Sequence, residues 1–178
     1  MITFKYSFAA RVVYRYANIP ITLLLFIQLI ISLFGTLNDI KFLLPLLINI
    51  LLIFVINKFY IRMYKYFPFC IEADNEKMFC TNFFMSNKKV EIKHAGIGDI
   101  KGGIFSGSQI KPLYIYDNKG KLLIGINPHM QGFNKLVTTI LSNVSQKLYN
   151  DLLDRSKELN VAKHEKLKGK NKNKKARK

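Results

Sequence analysis

Two long uncharged runs dominate what this chain can become. PITLLLFIQLIISLFGTL spans Pro20 to Leu37, FLLPLLINILLIFVIN spans Phe42 to Asn57, and neither holds a charged residue. From Ile19 to Ile56 the only ionisable side chains are Asp39 and Lys41. Crossing the hydrocarbon core takes about 20 residues, with a range of roughly 17 to 25. Each run reaches that length once Ile19 or the aromatic end Phe59-Tyr60 is counted. The rest of a 178-residue chain is too small to enclose such a hairpin in a soluble core. The reading is therefore a two-span membrane hairpin turning at Asn38–Lys41. No small-x-small cleavage site separates the runs, so the first is expected to stay as an uncleaved anchor.

The polar residues inside the runs are candidate contacts. Folded antiparallel about the turn, the hairpin puts Gln28 near the depth of Asn49 and Thr22 near Asn57. Hydrogen bonds between such side chains in lipid contribute about 0.6–2 kcal/mol each. The alternative is a polar strip facing a partner subunit. With no charged residue inside either span there is no ion path, which excludes a channel or transporter.

Sidedness follows from the flanks. Lys5, Arg11 and Arg15 precede the first run; Lys58, Arg62 and Lys65 follow the second. Positive-inside bias puts both termini in the cytoplasm, as a multi-pass protein of the inner membrane. Tyr14, Tyr16, Phe59, Tyr60, Tyr64, Tyr66 and Phe67 form an aromatic belt at the same interface. Residues 1–18 form an interfacial segment, in which FKYSFAARVVYRYAN, from Phe4 to Asn18, mixes aromatics with Arg and is expected to lie along the headgroups as a short amphipathic helix. The hairpin proper takes residues 19–66.

The charge is uneven. The chain has 28 Lys and Arg against 11 Asp and Glu, a net +17. From Arg155 to Lys178 the only acids are Glu158 and Glu165. Residues 155–178 cannot bury enough apolar surface to offset their ordering entropy, so a disordered tail is expected. Its candidate polyanion-binding residues are Lys166, Lys168, Lys170, Lys172, Lys174, Lys175, Arg177 and Lys178. They have no aromatic neighbours to stack on bases, so any RNA contact is to phosphate, without sequence preference.

Between hairpin and tail, residues 67–154 read as a folded domain. FCIEA and KMFCT alternate around Asp74-Asn75-Glu76 as a β-hairpin, with Phe83-Phe84-Met85 extending the second strand. VEIK returns after Ser86–Lys89. PLYIYD and KLLIGIN flank Asn118-Lys119-Gly120, a second hairpin. The glycines between Gly96 and Gly107 suit a bent, bulged strand; they lack the spacing of a phosphate-binding loop. From Phe133 through Leu148 and on to Leu152, apolar residues repeat every three or four positions, as in one amphipathic helix.

These residues resemble a known family. The hairpin leading into FPFCIEADNEKMFCTNFFMSNKKVEIKHAGIGDIKGGIF, PLYIYD, KGKLLIGI and the terminal helix is similar to the bacterial pleckstrin-homology-like domain of small membrane proteins. The matching features are the aromatic pair Phe83-Phe84, the core of Ile92, Ile97, Ile100 and Ile104, and the two later strands. The likeness covers about Phe69 to Val144 and leaves out the basic tail. It implies an α+β membrane protein, with a two-helix transmembrane hairpin and a curved antiparallel sheet capped by a C-terminal amphipathic helix. It implies no single activity and no catalytic residues.

The residues themselves suggest no chemistry. His94 and His129 have Asp99, Ser106 and Ser108 nearby in sequence, but no motif frames a nucleophile with its base, and the histidines read as surface or capping groups. Cys70 and Cys80 could face each other across the first hairpin, though small buried thiols are the plainer reading. Too few ligands are present for zinc. The expectation is a protein without enzymatic activity, cofactor or metal. It is a membrane-anchored accessory subunit engaging partner proteins through the pleckstrin-homology-like domain. Tethering a ribosome or RNA by the tail, and binding anionic lipid headgroups, are the alternatives.

Overall fold

The computed structural model describes the backbone of residues 1–175 apart from 85 and 109. Within that stretch it describes the side chains up to residue 159, together with residue 161. The chain opens with strand β1 (Ile2–Lys5), followed by helices α1 (Phe8–Tyr16) and α2 (Asn18–Asn38). A 3-10 turn at Ile40–Phe42 leads into α3 (Leu43–Tyr66). Strands β2 (Cys70–Ala73), β3 (Lys77–Thr81), β4 (Val90–Lys93), β5 (Ile97–Gly102), β6 (Leu113–Asp117) and β7 (Leu122–Ile126) come next. Helices α4 (Phe133–Asn143) and α5 (Gln146–Lys175) close the chain.

The architecture is α+β: two long apolar helices joined to antiparallel sheets. The helical stretches Phe8–Asn38 and Ile40–Tyr66, of 31 and 27 residues, are long and apolar enough to cross a membrane. They turn sharply because Asp39 Oδ1 accepts the Lys41 N–H at 2.9 Å. Gly35 lets the Phe42 ring close on the helix; a Cβ there would fall 2.6 Å from the ring. The outer surface of the hairpin stays apolar and uncovered, with Leu24, Ile31, Leu51 and Phe54 each at least 60 % exposed.

Strands β1-β2-β3-β4 form one sheet and β5-β6-β7 a second. Alternation sets the faces: Met78 and Cys80 of β3 point inward while Lys77, Phe79 and Thr81 are half-buried. The β2–β3 turn is held by Asp74 Oδ1, which accepts the N–H groups of Glu76 and Lys77, both at 2.9 Å. β5 carries a register shift between Ile97 and Asp99, a bend of the kind its glycines favour. One continuous core joins both sheets to the helices, with Ile71, Ile97, Ile115, Ile124, Leu136 and Ile140 almost wholly buried.

The largest departure from expectation is at the N-terminus. The sequence led us to expect a helix from Phe4 onward; instead Ile2–Lys5 is an edge strand, paired with β2 in the register Phe4↔Ile71. Phe4 is buried, Tyr6 bridges to Met130, and the Gln131 N–H donates to Lys5 O at 2.9 Å. The N-terminal segment thus runs between β2 and the chain after β7, joining the sheets. Burying an aromatic side chain such as Phe4 contributes about 1.5–3 kcal/mol, which outweighs the local helical pattern. The whole hairpin is therefore inserted between two neighbouring strands, and its two ends emerge on the same side. The amphipathic helix is confined to α1, where Ser7 Oγ accepts the Ala10 N–H at 3.4 Å.

Three smaller differences have local causes. β3 stops at Thr81 and does not continue through Phe83, because Asn82 takes a positive φ of 60° and turns the chain. The single amphipathic helix breaks in two at Val144, which is extended, and Ser145 Oγ then accepts the Leu148 N–H at 3.4 Å to start α5. Leu148 and Leu152 still pack into the core, and Arg155 Nη1 lies 2.9 Å from Asp99 Oδ1. The backbone of α5 is helical to Lys175, through most of the segment whose composition suggested disorder. Lys, Leu, Glu and Ala are good helix formers, and no proline interrupts them.

Candidate binding surfaces in the hairpin and at its base

Inside the hairpin the polar side chains pair selectively. Asn57 Nδ2 donates to Thr22 Oγ1 at 3.3 Å and to its own helix at Ile53 O, 2.9 Å. Asn49 is buried, but its amide donates to Ser32 Oγ at 3.4 Å and not to Gln28. Gln28 lies one turn before Ser32, on the exposed stripe with Ile21, Leu24 and Ile31 that flanks the α3-facing side. It makes no hydrogen bond among the described residues. The expected Gln28–Asn49 pairing is off by one turn of α2: the residue level with Asn49 is Ser32. That turn is about 6 Å of rise, beyond the reach of the Asn49 amide, so Gln28 is left at the edge of the α2–α3 contact.

The base of the hairpin is bound to the domain by aromatic and cationic groups. Tyr64 Oη lies 2.8 Å from Arg15 O and 2.6 Å from Asn18 Oδ1, tying α3 to the α1–α2 junction. Phe67 packs on β7 because Gly125 leaves room; a Cβ there would meet the ring at 2.4 Å. Asn127 Nδ2 approaches Met63 Sδ at 3.8 Å. Phe84, from the loop after β3, is wedged between Tyr64 at 4.3 Å and Tyr16 at 5.6 Å between ring centroids.

Beside that wedge lies a cleft of about 420 Å³, whose walls include Arg15, Asn82, Ser86, Lys88 and Lys89 and, among the described residues, no acidic one. A second hollow of about 380 Å³ shares Phe83, Phe84, Ser86 and Lys88 with it and is otherwise walled by Ile61, Tyr64 and Lys65. Arg15 is held in place: Nη2 donates to Asn82 Oδ1 at 2.6 Å, and the guanidinium sits 4.5 Å over the Phe69 ring. Its Nε is buried without a hydrogen-bond partner among the described residues. The hydrophobic edge of α1 turns outward next to this cleft, with Phe8, Val12 and Tyr16 exposed.

The remaining sequence candidates sit elsewhere. His94 is buried, not at the surface; its Nε2 donates to Asp74 O at 2.9 Å and its Nδ1 has no partner among the described residues. His129 Nδ1 meets Tyr14 Oη at 2.6 Å and braces α1. Cys70 and Cys80 are free and buried. They do not face each other: the register sets Cys80 opposite Ile71, so the thiols project from opposite faces of the sheet. Among the described residues no cluster of three His, Cys, Asp or Glu is placed to hold a metal. The side chains of Lys166, Lys168, Lys170, Lys172, Lys174, Lys175, Arg177 and Lys178 lie outside the described residues. Sequence reasoning missed the cleft because Arg15 and Lys88 are far apart in the chain; the signal was the polar loop Ser86–Lys89, one residue after the aromatic pair Phe83-Phe84. Compared with protein-family models, curated proteins and solved structures, the chain matches none.

Proposed function

We propose that this chain is a non-enzymatic, membrane-anchored binding module and an accessory subunit of a larger membrane assembly. In this reading α2 and α3 cross the inner membrane, and both termini face the cytoplasm. The folded part is a pleckstrin-homology-like roll. The sheets of four and three strands, closed by α4, support the last point. Basic and aromatic residues at the hairpin base, against a connector with one Lys and one Asp, support the orientation.

The observation that carries the subunit assignment is Gln28. It stands midway along α2, exposed and unpaired among the described residues, roughly 15 Å from either helix end. A short amide cannot reach the headgroups from there, and an unsatisfied amide in hydrocarbon is costly. A neighbouring transmembrane helix offering a hydrogen-bonding group relieves that cost.

Affinity capture of the full chain from native membranes tests this. A membrane protein should co-elute in high salt and be lost on Gln28→Leu. A strictly monomeric chain after gentle extraction would rule out the subunit role.

A further inference from the structure

We propose that the twin cleft at the hairpin base binds the phosphate of an anionic phospholipid headgroup. The inference rests on the membrane reading above and adds a ligand to it. Four cations from three separate parts of the chain converge there: Arg15 from α1, Lys65 from α3, and Lys88 and Lys89 from the β3–β4 loop. Among the described residues no acid lines either hollow. Surface lysines are commonly neutralised by nearby carboxylates, as Lys77 is by Glu91 at 2.8 Å. Here that partner is missing among the described residues.

Arg15 is the fixed element of the site. Asn82 and the Phe69 ring orient its guanidinium, so little side-chain freedom remains to be lost on binding. Asn82 holds its place by adopting a left-handed backbone conformation that non-glycine residues seldom take. Ser86 adds a hydroxyl that already accepts the Lys88 N–H at 3.2 Å, which leaves its hydrogen available to an anion.

The second hollow favours a lipid over a free anion. It continues from the cationic cleft past Phe84 and Tyr64 to Ile61, which is 65 % exposed on the apolar hairpin. A cationic end leading into an apolar wall matches an amphiphile whose phosphodiester joins a glycerol and acyl chains. Tyr16, at the end of the outward stripe of α1, lines the cationic cleft itself, so an interfacial helix would meet the acyl boundary next to it.

The full chain in mild detergent, titrated with phosphatidylglycerol or phosphatidylcholine, gives the test by native mass spectrometry of bound lipid. Phosphatidylglycerol should be retained in preference, and Lys88→Ala with Lys89→Ala should lower its retention about fivefold per lysine. Both lysines are exposed, so the double variant keeps the fold. Lys119→Ala with Lys121→Ala removes the same charge from the exposed β6–β7 turn and should leave retention unchanged. Millimolar inorganic phosphate should not displace the lipid; displacement would overturn the lipid assignment in favour of a soluble phosphate. Equal retention of both lipids, or an unaltered preference in the Lys88/Lys89 variant, would overturn the site. Failure of the chain to resist alkaline extraction from vesicles of either lipid would instead defeat the membrane reading itself.

Discussion

The Tyr6 hydroxyl accepts the backbone N–H of Asn127 at 3.0 Å, across 121 positions of sequence. The contact joins the segment before the hairpin to the end of the last strand, and both residues are buried. Burial pushes the Tyr6 phenol well above its ordinary range, so the group stays neutral. Tyr6→Phe keeps the ring but orphans a buried N–H. The expected loss is about 1–3 kcal/mol, read from denaturant unfolding of the full chain in detergent.

Because β1 precedes the hairpin, the domain depends on residues far outside it in sequence. Phe4→Ala should cost about 3–5 kcal/mol, and limited proteolysis should then cleave within β2 to β7. If that variant left the domain as protease-resistant as the parent, the strand pairing of Phe4 with Ile71 would be wrong.

The Asn57–Thr22 hydrogen bond predicts measurable coupling inside the hairpin. A double-mutant cycle with Asn57→Leu and Thr22→Val should give about 0.6–2 kcal/mol. The same cycle on Gln28→Leu and Asn49→Leu should give a coupling near zero, since those side chains do not meet.

Burial drives the Cys80 thiol up to about 12 from an ordinary 9.0. Below pH 9 it should resist maleimide in the native state and react fully in denaturant. The unfolded thiol releases its proton more readily than the folded one, so stability falls as pH rises from about 9 towards 12. The slope reaches at most about 1.4 kcal/mol per pH unit, and Cys80→Ala should abolish this contribution.

Much of the architecture is legible in local patterns. The apolar runs, the turns at Asp74 and Asn118–Gly120, and the alternation of β2, β3, β6 and β7 all report themselves within a few residues. What escapes is set by distant contacts. Ile2–Lys5 is a strand only because Ile71 and Met130 wait on either side of it. Gln28 and Ser32 differ by one helical turn, and counting back from the connector does not fix the depth of Asn49 to within a turn. The cleft likewise needs Arg15 brought beside Lys88, which no spacing announces.

The membrane path of the hairpin is the claim on which partner, lipid and orientation all depend. It is tested most directly by labelling single introduced cysteines in intact cells with a membrane-impermeant maleimide. Asn38→Cys, in the connector, should label from outside. Lys119→Cys, in the β6–β7 turn, should label only after the membrane is permeabilised. Labelling of Lys119→Cys in intact cells, or protection of Asn38→Cys until they are opened, would contradict the account.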